Sequence, residues 1–188
     1  MPSLIRRLDQ QLGAGVPGLI GFLAVVLVVF SLATPQFLTG ANFSSIAFQL
    51  PELGLLTLAM LMPIISGGFN LAIIYTANLS GLTLAWVLIQ FGGVDAPFGA
   101  FLLGSAAAIA VGSLAGFIMG LVIAYLGAHP ILVSLAMMIF LRGLGEFLTR
   151  GGDISGFPTY LGSIGHGSVL GVPVPMLIFI IAAICWHL

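Results

Sequence analysis

The sequence predicts an all-α fold, a polytopic integral membrane helix bundle of about six transmembrane spans, built as a single transmembrane domain over residues 1–188. Three observations predict it. Only 5% of the residues are charged and none is lysine, whereas a water-soluble domain carries about 25% to keep its surface hydrated. Hydrophobic residues make up 60% of the chain and fall into long apolar runs. The breaks between runs are rich in Gly, Pro and Ser, residues that favour turns and loops.

Each run is measured against a bilayer core of about 30 Å, which needs roughly 20 apolar residues. The first is Leu19 to Ala33, preceded by Arg6 and Arg7. Ser31-Leu32-Ala33 resembles a signal-peptide cleavage site, but the run is long and further apolar sequence follows, so a retained helix is expected. A polar stretch, Thr34 to Ser45, precedes Ile46 to Ser66, and Leu71 to Phe91 follows after Gly67-Gly68-Phe69-Asn70. Gln49, Pro51, Glu52 and Pro63 interrupt the earlier run. Proline removes a ladder hydrogen bond and glycine relaxes the backbone, so a broken helix is expected near Pro63–Asn70. Gly92 to Pro97 is a turn and Phe98 to Leu126 the fourth element. Gly127-Ala128-His129-Pro130 separates it from the fifth, Ile131 to Thr149. A Gly/Ser/Pro-rich loop runs from Arg150 to about Gly171, and the last span starts near Val172.

Arg6 and Arg7 place the N-terminus in the cytoplasm by the positive-inside rule. Thr34–Ser45, Gly92–Pro97 and Arg150–Gly171 then lie outside. Arg150 counts against this topology, softened by Glu146 and Asp153 as its expected partners. The apolar sequence continues to Trp186-His187 without a charged tail. It reads as a chain cut off where it leaves the membrane, the alternative being a short protein that ends flush with the bilayer.

The composition excludes several chemistries. Without lysine there is no GxxxxGK[ST] phosphate loop, so the chain does not hydrolyse ATP itself. Cys185 is the single cysteine, and His129, His166 and His187 lack metal-ligand spacing; neither a metal nor another cofactor is expected. A net charge of −1 offers no basic face for nucleic acid. Ser-Gly pairs at Ser80 and Ser155, with His166 as a base, would suit a serine protease, but such pairs arise by chance among 26 glycines.

Three constellations remain. Gly104, Ala108, Gly112, Gly116 and Gly120 recur every fourth residue, one stripe of small side chains along which another helix can approach closely. Arg142, Glu146 and Arg150 share the same spacing and form a charged stripe on the fifth helix. Charge inside a membrane is costly unless paired or facing water, so the stripe is either part of a solute path or a self-neutralising ladder near the interface. Asn70, Tyr75, Asn78 and Ser80 follow the Gly67-Gly68 break, and polar side chains beside an interrupted helix commonly line a transport path. The bland alternative is hydrogen bonding between helices.

Several segments resemble a family. Phe37-Leu38-Thr39-Gly40-Ala41-Asn42-Phe43 is similar to the segment after the first helix in permease subunits of ribose-type bacterial ABC sugar importers. Ser66-Gly67-Gly68-Phe69-Asn70-Leu71 resembles that family's Gly-Gly-Ile-Asp-Leu-Ser segment. His129 to Leu135, Leu141-Arg142-Gly143-Leu144 and Gly151 to Pro158 are similar to its fifth helix and following loop. The resemblance runs in order from about Phe37 to Pro175. It departs at Asn70, where the family has aspartate, and at Ala72-Ile73-Ile74, which leaves the solute open.

The resemblance implies a permease domain at residues 1–188, the N-terminal fragment of a longer permease, in a bacterial plasma membrane. It also implies a second permease subunit, cytoplasmic ATPase subunits and a periplasmic solute-binding protein delivering a sugar or related polar solute. Asn70, Tyr75, Asn78, Arg142 and Glu146 would line the solute path. Alternatives are an ion-coupled secondary transporter and a non-transporting assembly subunit packed through the glycine stripe. The family's ATPase-docking loop lies beyond the sixth helix, so residues 1–188 alone are not expected to drive import.

Overall fold

A computed structural model describes residues 16–169 and 171–187. Arg6, Arg7 and Asp9, and with them the charge argument for a cytoplasmic N-terminus, lie outside the described residues. The chain is a multi-pass helical membrane protein, and each of the expected apolar runs is helical. The helices are α1 (Val16–Ala33), α2 (Gly40–Ile65), α3 (Ile73–Gln90), α4 (Phe98–Leu126), α5 (Pro130–Thr149), α6 (Thr159–His166) and α7 (Val174–His187). By length and composition, α2, α3, α4 and α5 can cross a membrane, while α1 and α7 are shorter apolar helices. A two-stranded antiparallel ribbon joins β1 (Ser168–Val169) to β2 (Val172–Pro173), pairing Ser168 with Pro173 and Val169 with Val172.

The chain forms two compact units, one up to Ala47 and one from Phe48. In the first, α2 begins at Gly40, six residues ahead of the expected Ile46. The cause is Thr39, whose Oγ1 accepts a hydrogen bond from the Asn42 backbone N–H at 3.4 Å in the manner of an N-cap. The Asn42 side chain donates to the Phe37 carbonyl at 2.7 Å, fixing the turn before the helix.

In the second unit the break falls within the expected Pro63–Asn70 segment. Pro51 and Pro63 both lie inside helix α2, as membrane helices tolerate when other groups take up the freed carbonyls. The helix stops instead at Gly67, whose φ of +79° is a left-handed conformation suited to glycine. Gly68 N–H bonds to the Pro63 carbonyl at 2.8 Å and Gly67 N–H to the Ile64 carbonyl at 3.0 Å, closing the helix with a Schellman pair. Helix α3 restarts at Ile73, so the interruption is a turn between two helices.

Helices α3, α4 and α5 form the centre of this unit. Helix α4 runs antiparallel to α3: Gly112 faces Ser80 and Thr76, and Gly104 faces Leu84 and Val87. Helix α5 runs parallel to α3, with Ser134 beside Phe69 and Gly145 further along beside Leu82. Ala72, Leu79, Ala115, Met119 and Leu141 are buried between the three. A second buried group, Leu88, Ala96 and Ala100, sits where α3 gives way to α4, with Phe157 and Leu161 of the following loop packed on it. That loop thus folds over one end of the trio, and Tyr160 stands edge-on to Phe98 and Phe101. Helix α6 adds order to the segment from Arg150 to Gly171, expected as loop alone. Outward side chains such as Trp86, Phe117, Leu132 and Phe147 are apolar and exposed, the surface of a bundle solvated by lipid rather than water.

Candidate functional site

Tyr75, Asn78, Arg142 and Glu146 border one cavity of about 230 Å³ between α3, α5 and the loop after α5. Helix α3 supplies Tyr75 and Asn78, α5 supplies Arg142, Glu146 and Thr149, and the loop adds Asp153. The helical repeat explains the set. Tyr75, Asn78 and Leu82 lie three and four residues apart, as do Arg142, Gly145, Glu146 and Thr149, so each helix turns one edge toward the space. Gly145 lets the two helices meet closely beneath it: a Cβ there would stand 3.3 Å from Leu82 Cδ1.

Within the cavity, Arg142 Nε donates to Glu146 Oε1 at 2.8 Å. Tyr75 comes close enough to the same guanidinium to interact with it. The Thr149 hydroxyl turns back to the Gly145 carbonyl at 3.0 Å. Among the described residues, Asp153 has neither an ion pair nor a hydrogen bond. The arrangement offers hydroxyl, amide and carboxylate groups around one partly open space, suited to hydrogen bonding a small polar molecule.

The charged stripe ends one residue early. Helix α5 stops at Thr149, and Arg150 has a φ of +53°. Its N–H bonds to the Phe147 carbonyl at 3.3 Å and Gly151 N–H to the Glu146 carbonyl at 3.0 Å, the same Schellman closure as at Gly67. Arg150 is therefore off the helical face of Arg142 and Glu146. Among the described residues the ion pair is Arg142–Glu146, so Arg150 pairs with neither Glu146 nor Asp153.

Asn70 is placed elsewhere. Its Oδ1 accepts from the Ala72 N–H at 2.9 Å, closing the turn that leads into α3. It borders a separate space of about 300 Å³ with Gly68, Gly116, Gly120, Pro130 and Ser134. Ser134, only 2% exposed, donates to the Phe69 carbonyl at 3.1 Å and ties this turn to α5. The small-residue stripe divides as well. Gly104 and Gly112 lie under α3, where a Cβ would meet Leu84 Cδ1 at 2.7 Å and Ser80 Oγ at 2.9 Å. Ala108 between them is half-buried, while a Cβ at Gly116 or Gly120 would meet nothing within 4 Å. His166 lines another space with Glu52, whereas Ser80 faces Gly112, so no serine–histidine arrangement forms between them.

Thr149, Gly145 and the cavity role of Asp153 were not among the expected site residues. The helical spacing from Arg142 was the available signal for Thr149; Asp153 depends on how the chain folds back after Gly151.

The fold and the site define a multi-pass helical membrane protein with a polar cavity between two of its helices. The chain belongs to the family described as branched-chain amino acid transport system / permease component, which matches residues 42–186. It is 29% identical over 173 residues to the D-allose transport system permease protein of Escherichia coli (strain K12), covering 91% of this chain and 51% of that protein. To the ribose import permease protein of Bacillus subtilis (strain 168) it is 32% identical over 169 residues, covering 88% and 50%. To the galactofuranose transporter permease protein of Escherichia coli (strain K12) it is 30% identical over 182 residues, covering 93% and 51%. The chain spans about half the length of the curated relatives it matches. No solved structure matches it.

Proposed function

We propose that this chain forms part of the membrane permease of an ATP-driven importer for a monosaccharide or related small polar solute, and that the cavity between α3 and α5 belongs to its solute path. The convergence of Tyr75, Asn78, Arg142, Glu146 and Asp153 on one space carries the reading. Separate charged residues in an apolar bundle are costly; gathered around a cavity they can stay hydrated and meet a polar solute. Relatives named for D-allose, ribose and galactofuranose support the sugar class.

On this reading the N-terminus is cytoplasmic and the loop after α5 faces outward, so the cavity opens toward a solute-binding protein. ATP hydrolysis belongs to cytoplasmic partner subunits, and a second permease subunit completes the membrane core. Gly104 and Gly112 hold α4 against α3. For Asn70 the turn-closing hydrogen bond supports a positioning role at the break, with the solute path carried by the α3–α5 set. The test is uptake of radiolabelled D-ribose or D-allose into membrane vesicles carrying the permease with its partners. Uptake that requires internal ATP agrees with the proposal; uptake driven by an ion gradient without ATP refutes it.

A further inference from the structure

The cavity carries one positive and two negative side chains, and only two of these neutralise each other. Arg142 and Glu146 close their pair at 2.8 Å, which leaves the Asp153 carboxylate without an ion-pair partner among the described residues. The remaining lining groups, Tyr75, Asn78 and Thr149, are neutral hydrogen-bonding side chains. A concave site with a single unpaired charge raises or lowers the local concentration of whatever charged molecule enters. We infer that Asp153 makes this cavity a charge filter that admits neutral, hydroxyl-rich solutes and repels anionic ones, sugar phosphates and sugar acids among them.

The inference rests on the proposed solute path and adds the charge selectivity of that same site. Repulsion is the discriminating device: hydroxyl groups of a neutral sugar and of its acid are bound alike, so rejection of the acid needs a like charge. Asp153 is suited to this because it stands on the loop after α5, beyond the internally neutral pair on the helix. Removing the carboxylate would leave the shape and the neutral hydrogen-bonding groups in place.

Thiol labelling tests this without reliance on a solute-binding protein, whose own selectivity would mask that of the membrane chain. In a Cys185→Ser background, Thr149→Cys places one thiol in the cavity, and the full chain in lipid vesicles is treated with cationic, neutral and anionic thiosulfonates of similar size. Because the reacting thiolate is itself an anion, the cationic-to-anionic rate ratio is divided by that of a small free thiol with the same reagents. This normalised ratio is expected to exceed one by about fivefold or more, the size of one unit-charge interaction near contact in a hydrated site. Asp153→Asn should bring the normalised ratio to about one, and Asp153→Glu should restore it, which a merely folding-related effect would not do. A normalised ratio of one in the parent, a ratio unchanged by Asp153→Asn, or a thiol closed to all three reagents would overturn the inference. The transport reading is judged separately, by ATP-dependent uptake of neutral sugar.

Discussion

Arg142 and Glu146 stand one turn apart on α5 and close an ion pair at 2.8 Å, with both side chains reaching the cavity beside α3. The pair makes each charge the other's neutraliser in a helix that is otherwise almost wholly apolar. Changing either residue to alanine leaves its partner without a counter-charge, whereas changing both removes the mismatch. The amount of folded protein in the membrane is therefore expected to fall more for Arg142→Ala or Glu146→Ala than additivity allows for the double variant. Additive losses would mean that the two residues act independently.

Gly112 and Gly116 are neighbours on the small-residue stripe with opposite surroundings. A Cβ at Gly112 meets Ser80 Oγ at 2.9 Å, while one at Gly116 meets nothing within 4 Å. Gly112→Leu is expected to destabilise by about 1–3 kcal/mol, the usual cost of overpacking a close helix contact. Gly116→Ala should leave the melting temperature in detergent near that of the parent. Equal effects at the two positions would contradict the α3–α4 packing.

Asn70 holds the turn into α3 through its bond to the Ala72 N–H at 2.9 Å. Asn70→Leu removes the acceptor and is expected to cost about 1 kcal/mol, the usual net contribution of one hydrogen bond. Asn70→Asp keeps the acceptor and should preserve the protein level in the membrane. A Leu variant that retains full stability while losing uptake would instead favour direct contact with solute.

Arg150 occupies a left-handed position at φ +53°, where an L side chain is strained. Arg150→Gly is expected to raise thermal stability by roughly 0.5–1 kcal/mol, the relief of that strain less the entropy glycine loses on folding. A fall in stability would show that the guanidinium makes a contact outweighing the backbone strain.

Much of the fold was legible because a bilayer dictates the length of its spans. Phe98–Leu126 was placed to the residue, since glycine and proline mark both of its ends. The break near Pro63–Asn70 was legible from Gly67-Gly68, whose first glycine takes the left-handed conformation, while Pro51 and Pro63 stay inside the helix because proline removes one hydrogen bond without forcing a helix to end. The i, i+4 spacing put Arg142 with Glu146, and helix periodicity put Tyr75 near Asn78. Spacing could not show that α5 ends at Thr149, which takes Arg150 out of the stripe. Nor could it tell that Asn70 spends its side-chain oxygen on the backbone. The meeting of α3 with α5 depends on the close approach of Gly145 to Leu82, a contact across 63 residues of chain that local pattern does not encode.

The central claim is that the cavity between α3 and α5 lies on the path of an imported sugar, and Asn78 tests it most directly. Its amide lines the cavity, and it forms no protein hydrogen bond among the described residues that its replacement would break. The measurement is the rate of ATP-dependent uptake of radiolabelled D-ribose or D-allose by vesicles carrying the assembled transporter, normalised to the permease in the membrane. Asn78→Leu is expected to lower this rate by about tenfold, from one lost hydrogen bond and a narrowed passage, with the membrane level of the protein unchanged. An uptake rate equal to that of the parent at equal protein level would contradict the claim.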